Sequence, residues 1–304
     1  MNCPICNNED EFKFIEKKWE YKIYQCPRCD GEFSDPMKTT SEAYEKMGTD
    51  IIDKRISFGY RRRNELAGSY LGWDHQKFLP FLEAQYKVKD NVKIIEIGCG
   101  TGDFVNMLSK QGWNITGFDL DKKVIEIGRK YHNLNNIYYE DVFQVIDGNK
   151  TKHDMYDIVC FFAVLEHLES PGTFIENVKK LLKGDGIIAF SVPNGESRLQ
   201  KIYRRLTRYI DYPPQHLTRW KGKTIDVFLE KHGFKKILYE TSQPSITDIA
   251  SDMIKLFTPT FISSKTMMKI QSLSYRYLTK WLDGFAPMID KKGRSQLVIA
   301  RRNN

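Results

Sequence analysis

Apolar and polar positions along the middle of the chain follow two periods in turn. Short apolar runs of strand length occur at Ile94–Ile97, Asn114–Asp119, Ile137–Tyr139, Tyr156–Ala163 and Gly186–Val192, then at about 236–241 and 296–300. Between them the apolar residues recur at helical spacing. Asp103–Gln111 places Phe104, Val105 and Leu108 on one side and meets a stop at Gly112. Asp121–Tyr131 is the next helix. Ser170–Lys183 follows, with Ser170 placed to cap, Pro171 in the first turn and Gly184 as the stop. Its stripe is Phe174, Ile175, Val178, Leu181 and Leu182. Strands alternating with helices predict an α/β fold, a mostly parallel sheet with helices on both faces. Ligands of such sheets bind at the carboxyl ends of the strands.

The ends of these strands carry the chemistry. Ile94-Ile95-Glu96-Ile97 runs into Gly98-Cys99-Gly100-Thr101-Gly102 and then a helix. Glycine admits positive φ and close approach of a ligand, and the amides of the following helix face that ligand. By itself such a turn fits several nucleotides, NAD and FAD among them. The second strand closes on Asp119, an acid placed to accept hydrogen bonds from both hydroxyls of a ribose. Glu140-Asp141 after the third strand could accept an adenine amine; the plainer role for Asp141 is a turn aspartate. The fourth strand leads into Leu165-Glu166-His167-Leu168.

The first thirty-odd residues have a different pattern. Cys3-Pro4-Ile5-Cys6 and Cys26-Pro27-Arg28-Cys29 form two C-x2-C turns joined by β-rich hairpin sequence containing Phe12, Phe14, Trp19, Tyr21, Ile23 and Tyr24. Two residues between thiols let one turn present both sulfurs to one metal, and two turns complete a closed zinc tetrahedron. A pair of disulfides is the competing reading, with nothing else pointing to an oxidising compartment. Residues 41–86 are read as irregular helices carrying Tyr44, Tyr60, Tyr70, Trp73 and Phe78, with a charge cluster at Arg61-Arg62-Arg63.

Composition is that of an ordinary globular protein, 41% hydrophobic and 28% charged over 304 residues. The longest apolar run, Ile158–Leu165, is too short to cross a bilayer. The start, Met1-Asn2-Cys3-Pro4, has no basic-then-apolar leader, so a cytoplasmic location is expected. The net charge of +8 is concentrated between Arg198 and Lys223 and between Met253 and Leu282, where Asp and Glu are absent. An acidic substrate, an anionic membrane or RNA would suit these stretches, as would a simple solvated face. Arg198–Tyr209 reads as a basic amphipathic helix. Some fifty residues separate the last two strands, where a hairpin needs a few. In that insertion Ile246, Ile249, Ala250, Met253 and Phe257 mark one apolar face, and Lys265, Lys269, Arg276 and Lys280 a basic one.

Glu96-Ile97-Gly98-Cys99-Gly100-Thr101-Gly102 resembles motif I of class I S-adenosylmethionine-dependent methyltransferases. Gly117-Phe118-Asp119-Leu120-Asp121, Glu140-Asp141 and Tyr156–Val159 with Leu165–Leu168 are similar to their later motifs. The likeness covers roughly 90–245 and the last strand. It extends to bacterial enzymes with a CPxC ribbon and a Pro-Pro-x-His-Leu-Thr-Arg segment, here Pro213–Arg219, which resemble ubiquinone-type O-methyltransferases and sugar methyltransferases of surface-polysaccharide and antibiotic pathways. The resemblance implies a Rossmann-like, seven-stranded, mostly parallel sheet with helical lid insertions. It implies S-adenosylmethionine held by Glu96 at the amino-acid end, by Gly98, Gly100 and Gly102 along the methionine, by Asp119 at the ribose and by Asp141 beside the adenine. The organisation expected is a zinc ribbon over 1–35 with Cys3, Cys6, Cys26 and Cys29 as ligands, a helical linker or lid over 36–90, and a methyltransferase domain over 91–304 with its insertion at about 245–290.

Methyl transfer from a sulfonium to a hydroxyl needs alignment, exclusion of water and a base for the departing proton. His216, in a proline-stiffened loop, is the first candidate base and His167 the second; a hydrogen-bonded structural role is the alternative for each. The expected acceptor is a small molecule or glycan, a sugar hydroxyl in a surface-glycan or glycolipid pathway, with the basic helices as a lid resting on the inner face of a membrane. RNA methylation, with ribbon and basic patches gripping phosphates, is a rival. A cofactor-binding scaffold without catalysis and an NAD oxidoreductase are the others. No Asn-Pro-Pro-Tyr motif follows the fourth strand, which disfavours methylation of a base amine, and Cys160 and Cys99 read as packing.

Overall fold

The computed structural model describes residues 1–38, 71–143, 155–207, 211–246 and 283–303. Tyr44, Tyr60, Tyr70, the Arg61–Arg63 cluster and the insertion residues from Ile249 to Lys280 lie outside the described residues.

Three short strands, β1 (Lys13–Lys18), β2 (Tyr21–Gln25) and β3 (Glu32–Asp35), open the chain. Helix α1 (Trp73–Gln85) precedes an alternation of β4 (Lys93–Ile97), α2 (Asp103–Lys110), β5 (Asn114–Asp119), α3 (Lys122–His132) and β6 (Ile137–Tyr139). It continues through β7 (Tyr156–Phe162), α4 (Pro171–Leu181), β8 (Leu182–Pro193), α5 (Arg198–Thr207), β9 (Thr218–Arg219), α6 (Gly222–Lys231), β10 (Phe234–Thr241) and β11 (Ser295–Arg302). Seven strands form one sheet in the order β10-β11-β8-β7-β4-β5-β6. The five from β8 to β6 run parallel, and β11 is antiparallel to both its neighbours. After β4 the chain winds outward through β5 and β6, then returns to β7 on the other side. The switch point therefore lies between β4 and β7.

Each central strand divides its side chains between two cores, as period-2 geometry requires. Ile94, Ile115, Ile158, Phe162 and Ile187 face α1, α2 and α3, joining Phe78, Leu82, Phe104 and Leu108 in one buried cluster. Ile95, Phe118, Val159, Phe161 and Ile188 face the other way, toward Ile175 and Val178 of α4 and Ile225 and Phe228 of α6. Burial on both faces is why these strands read as continuous apolar runs. Gly128 lets α3 lie directly on the glycine turn: a Cβ there would sit 2.3 Å from the Thr101 carbonyl oxygen.

The largest departure from the expected boundaries lies between α4 and β8. The helix expected to reach Lys183 ends at Leu181, and the strand expected from Gly186 begins at Leu182. Tyr156 pairs with Leu182 and Ile158 with Ile187, so a bulge absorbs the stretch from Gly184, read as the helix stop, to Gly186, read as the strand's start. Ser170 occupies the N-cap position, but its side chain makes no capping hydrogen bond.

The ribbon is part of this architecture. Its Cys3 and Cys26 turns repeat one geometry: Asn7 N–H donates to the Cys3 carbonyl and Asp30 N–H to that of Cys26, at 2.8 and 2.9 Å. Asn7 and Asp30 both have positive φ, 56° and 63°. The four sulfurs are buried and lie within 4.8 Å of one another. Cys3–Cys29 and Cys6–Cys26 are 3.8 and 3.6 Å apart, far beyond a disulfide bond of about 2.05 Å. A zinc tetrahedron with Zn–S of about 2.3 Å has edges of about 3.8 Å, so four thiolates so placed suit structural zinc with no position left for a substrate.

The ribbon sheet gains its fourth strand from a distant segment of the chain, in the order β1-β2-β3-β9. Glu32 and Phe33 pair with Arg219 and Thr218, Ser34 N–H donates to the Leu217 carbonyl, and the Thr224 hydroxyl donates to the Cys29 carbonyl, the last two at 2.9 Å. The cysteines, Ile5 and Phe33 belong to the same buried cluster as Phe190 and Phe228.

Replacing Cys26 by Ser is expected to reduce bound zinc from about one equivalent per chain to nearly none. Metal analysis together with limited proteolysis checks this, the ribbon and the 211–219 loop becoming cleavable together. Full zinc content in Cys26→Ser protein would remove Cys26 from the metal site.

Candidate active site

At the end of β4 the chain folds back on β5: Gly98 and Cys99 N–H both donate to the Phe118 carbonyl, at 2.7 and 3.0 Å. Gly98 and Gly100 have φ of 77° and 55°, in the region that favours glycine. A Cβ on Gly98 would also come 2.7 Å from Val164 Cγ2. A Cβ on Gly100 would meet nothing within 4 Å among the described residues, so the turn borders an open cradle that only a glycine leaves clear. Asp119 stands beside it. One of its oxygens accepts from Gly100 N–H and the other from Asp121 N–H, both at 2.8 Å. Each oxygen keeps a further lone pair, so the carboxylate is held in place with capacity left for a diol.

Glu96 is buried under the turn. Its Oε1 lies 3.4 Å from His75 Nε2, and its Oε2 has no partner among the described residues. Burial raises the Glu96 pKa against the opposing pull of His75. A buried acceptor with an unfilled lone pair is costly unless a donor arrives. An ammonium group at the amino-acid end of a bound nucleoside would supply one. The glycine cradle, the anchored Asp119 and this orphaned oxygen together fit S-adenosylmethionine.

His75 carried no signal in the sequence, falling in the stretch read as linker. It reaches the site because Trp73 starts α1 against the sheet. Gly72 N–H donates to His75 Nδ1 at 3.2 Å, which assigns the proton to Nε2, facing Glu96. The ring packs on Phe104 and Phe162, at 4.7 and 4.6 Å between centroids. Burial lowers its pKa, and the hydrogen bond and charge of Glu96 more than compensate, leaving it above the ordinary value. Beside it, Asp74 accepts from the Ser191 hydroxyl at 2.5 Å. The Asp74 charge adds, after burial, to the upward push on both Glu96 and Glu166 and so links the two halves of the site.

Asp141 is half-buried and accepts from Phe143 N–H at 3.0 Å, a turn contact. Any adenine-side contact from 144–154 lies outside the described residues. Cys99 and Cys160 are buried, as their packing role predicts.

The second half of the site forms where the loop before β9 closes over the end of β7. Leu217 N–H donates to the Glu166 carbonyl at 2.8 Å. His216 and His167 are thereby brought edge to face, 4.7 Å between centroids. Glu166, His167 and His216 each bring one polar atom to within 4.8 Å of the others, a spacing open to proton exchange or to a shared cation. His167 Nδ1 lies 2.5 Å from the Gln215 carbonyl, which assigns it the proton and leaves Nε2 bare. Partial desolvation and the nearby His216 lower the His167 pKa, although 40% of its side chain stays open to solvent. His216 is buried, with Nδ1 2.9 Å from Asp211 Oδ1. Glu166 is 1% exposed, its Oε2 is unpartnered among the described residues, and burial pushes its pKa up to about 7.

The Glu166 shift has a stability consequence. With a folded pKa above the unfolded value of 4.5, the carboxyl contributes stability fully below that value and loses it as pH rises through about 7. Between pH 5 and 8 the wild type is expected to lose about 3 kcal/mol relative to Glu166→Gln. Urea unfolding of both proteins at the two pH values checks this, and an equal pH dependence in both contradicts it.

A family model described as a methyltransferase domain matches residues 60–239. A ubiquinone biosynthesis O-methyltransferase of Rickettsia bellii is 28% identical over 170 residues, covering 55% of this chain and 65% of that relative, short of two thirds of its length. A SAM-dependent methyltransferase of Thermotoga maritima superposes with a TM-score of 0.50 at 14% identity, covering 82% of this chain and 98% of that one. Phosphoethanolamine N-methyltransferase 2 of Haemonchus contortus, solved with S-adenosyl-L-methionine, also gives 0.50 at 17% identity, covering 77% of this chain and 53% of that one. At these identities the solved structures speak to the fold alone, and the fold is the Rossmann-like one that the motifs implied. With the family model covering more than half of its length, the chain belongs to the methyltransferase-domain family.

Proposed function

We propose that this protein transfers the methyl group of S-adenosylmethionine to an acceptor hydroxyl, most directly a sugar hydroxyl in a surface-glycan, glycolipid or related secondary-metabolite pathway. One observation carries the reading. An open glycine cradle flanked by an anchored carboxylate and a buried, unfilled one stands at the same strand ends as a cluster of two imidazoles and a carboxyl.

When bound, S-adenosylmethionine supplies a methyl group activated by a positively charged sulfur. The chain's own residues do the rest. Glu96, steadied by His75, takes the amino end. Asp119 takes the ribose hydroxyls, and Asp141 borders the adenine. His216 keeps its Nδ1 proton on Asp211, so Nε2 presents a lone pair to the acceptor hydroxyl and takes its proton as the oxygen attacks. Glu166 and His167 border the same space, His167 having the more exposed ring. Residues 1–35 brace the loop that holds His216, residues 36–90 bring α1 to the donor side, and residues 91–304 form the catalytic body. No helix among the described residues is long and apolar enough to cross a membrane, and peripheral contact through the basic insertion is the part of the proposal that accommodates a lipid-linked acceptor.

A hydroxyl of a ubiquinone-biosynthesis precursor, with 3,4-dihydroxybenzoate as its phenolic probe, is the second reading for the acceptor, favoured by the similarity to ubiquinone biosynthesis O-methyltransferases. Methyl-labelled S-adenosylmethionine separates the two when supplied with a glycan and glycolipid extract in one reaction and 3,4-dihydroxybenzoate in another. Label recovered in a methylated sugar supports the first reading, and label only in the phenol replaces it with the second.

Asp119→Ala is expected to weaken S-adenosylmethionine binding by about 2 kcal/mol or more, roughly thirtyfold, with the circular dichroism spectrum unchanged. Calorimetry reads this, and unchanged affinity would take Asp119 out of the ribose site. His216→Ala should retain the donor and lose about 10²- to 10⁴-fold in turnover. Turnover within a few-fold of wild type would end the base assignment.

A further inference from the structure

His216 can act as a base only if its proton sits on the ring nitrogen that faces away from the acceptor, and nothing in an isolated loop enforces that tautomer. We propose that Asp211 is a positioning residue that locks His216 in its Nδ1–H tautomer, and that Arg219, paired to the zinc ribbon, holds Asp211 in place to do so. This rests on the reading of His216 as the base.

The two residues lie five apart in one loop. His216 N–H donates to the Tyr212 carbonyl at 3.0 Å, which closes the loop and brings His216 Nδ1 to 2.9 Å from Asp211 Oδ1. Asp211 is 3% exposed and has φ of 66°, a left-handed conformation that a non-glycine residue holds only where its surroundings determine it. Those surroundings are specific. Arg219 Nε donates to the Asp211 backbone carbonyl at 2.9 Å and lies 4.0 Å from Oδ2. The guanidinium reaches on to Glu32 of β3 at 3.5 Å, which also receives Arg204 at 3.3 Å. Tyr212 lies against both arginines, 5.6 Å from Arg204 and 5.3 Å from Arg219, and its hydroxyl donates to Glu16 of β1.

The charges settle which group carries the proton. Burial raises the Asp211 pKa, but the hydrogen bond from His216 and the charges of His216, Arg219 and Arg204 outweigh it, and the carboxyl stays below its ordinary range. An ionised carboxylate only accepts hydrogen bonds. Nδ1 must therefore be the donor, and in the neutral ring Nε2 is bare. In the cluster with Glu166 and His167 the ring brings one polar atom to within 4.8 Å of theirs, and the acceptor hydroxyl would lie against Nε2. A carboxylate that orients a histidine in this way governs turnover strongly, because its loss leaves the ring in the wrong tautomer without moving the main chain.

A purely structural Asp211, serving only to seat Arg219 against the ribbon, would leave the tautomer of His216 indifferent to its chemistry. The distinction is spectroscopic. The experiment uses the full-length, zinc-loaded protein, ¹⁵N-labelled at histidine and saturated with S-adenosylhomocysteine, and records long-range ¹H–¹⁵N spectra. Wild-type His216 is expected to show a protonated Nδ1 and a bare Nε2. Asp211→Asn should shift the ring toward the other tautomer and cut methyl transfer to the glycan and glycolipid extract by about 10²- to 10³-fold, with donor affinity within about threefold of wild type. Asp211→Glu should restore the Nδ1–H signature and part of the turnover. A bare Nδ1 in the wild type overturns the proposal even if Asp211→Asn fails to fold, as does an Asp211→Asn spectrum and turnover matching wild type. Full turnover in His216→Ala would instead dismiss the base reading, whatever the tautomer, so the two failures are told apart.

Discussion

A parallel sheet buried on both faces leaves chemistry only at the ends of its strands, and this constraint organises the molecule. Ile94 and Ile95 face opposite cores, as do Ile158 and Val159, so β4 and β7 are buried on both faces over most of their length. Where they end, the backbone must turn within a few residues. Gly98 turns beneath the Phe118 carbonyl, against Val164, while β7 passes through Ala163, whose φ is 53°. The donor cradle and the Glu166–His167–His216 cluster are neighbours because β4 and β7 are paired strands. The topological switch between them opens the crevice that both share.

The second organising contact joins the N-terminal ribbon to a segment well inside the methyltransferase domain. β3 pairs with β9 across nearly two hundred residues, and the loop bearing Asp211 and His216 hangs from that pairing. A small ribbon has little core of its own and needs a metal to fold. Once formed, it is rigid, and its β3 edge finds a partner instead of remaining open. The zinc site thereby stiffens a loop that is also held by hydrogen bonds to the segment after β7. Glu32, Arg219 and Asp211 form a line of ion pairs leading from the ribbon to the hydrogen bond between Asp211 and His216.

The histidines show how local and distant information divide. His216 drew attention through its proline-rich setting and His167 through its place after a strand, and the two prove to be in contact. His75 and Asp74 drew none. They face Glu96 and Ser191, partners 21 and 117 residues away, and no spacing rule spans such gaps. Ser170 shows the converse: its position was legible, yet its side chain does not form the cap bond that the position suggested. The bulge at Gly184–Gly186 was likewise hidden, since glycines in a turn and glycines in a bulge look alike until the partner strand is known.

The sequence by itself determined the strand-helix alternation, the glycine turn with Asp119, and the four cysteines. Each rests on short-range periodicity or on spacing within one or two turns, which covalent geometry makes readable. Tertiary structure alone decided that the ribbon completes its sheet with Thr218–Arg219, that His75 supports Glu96, and that Asp211 and Arg219 stand behind His216. Those are pairings between segments far apart in the chain, chosen by burial and charge compensation once the two cores had formed.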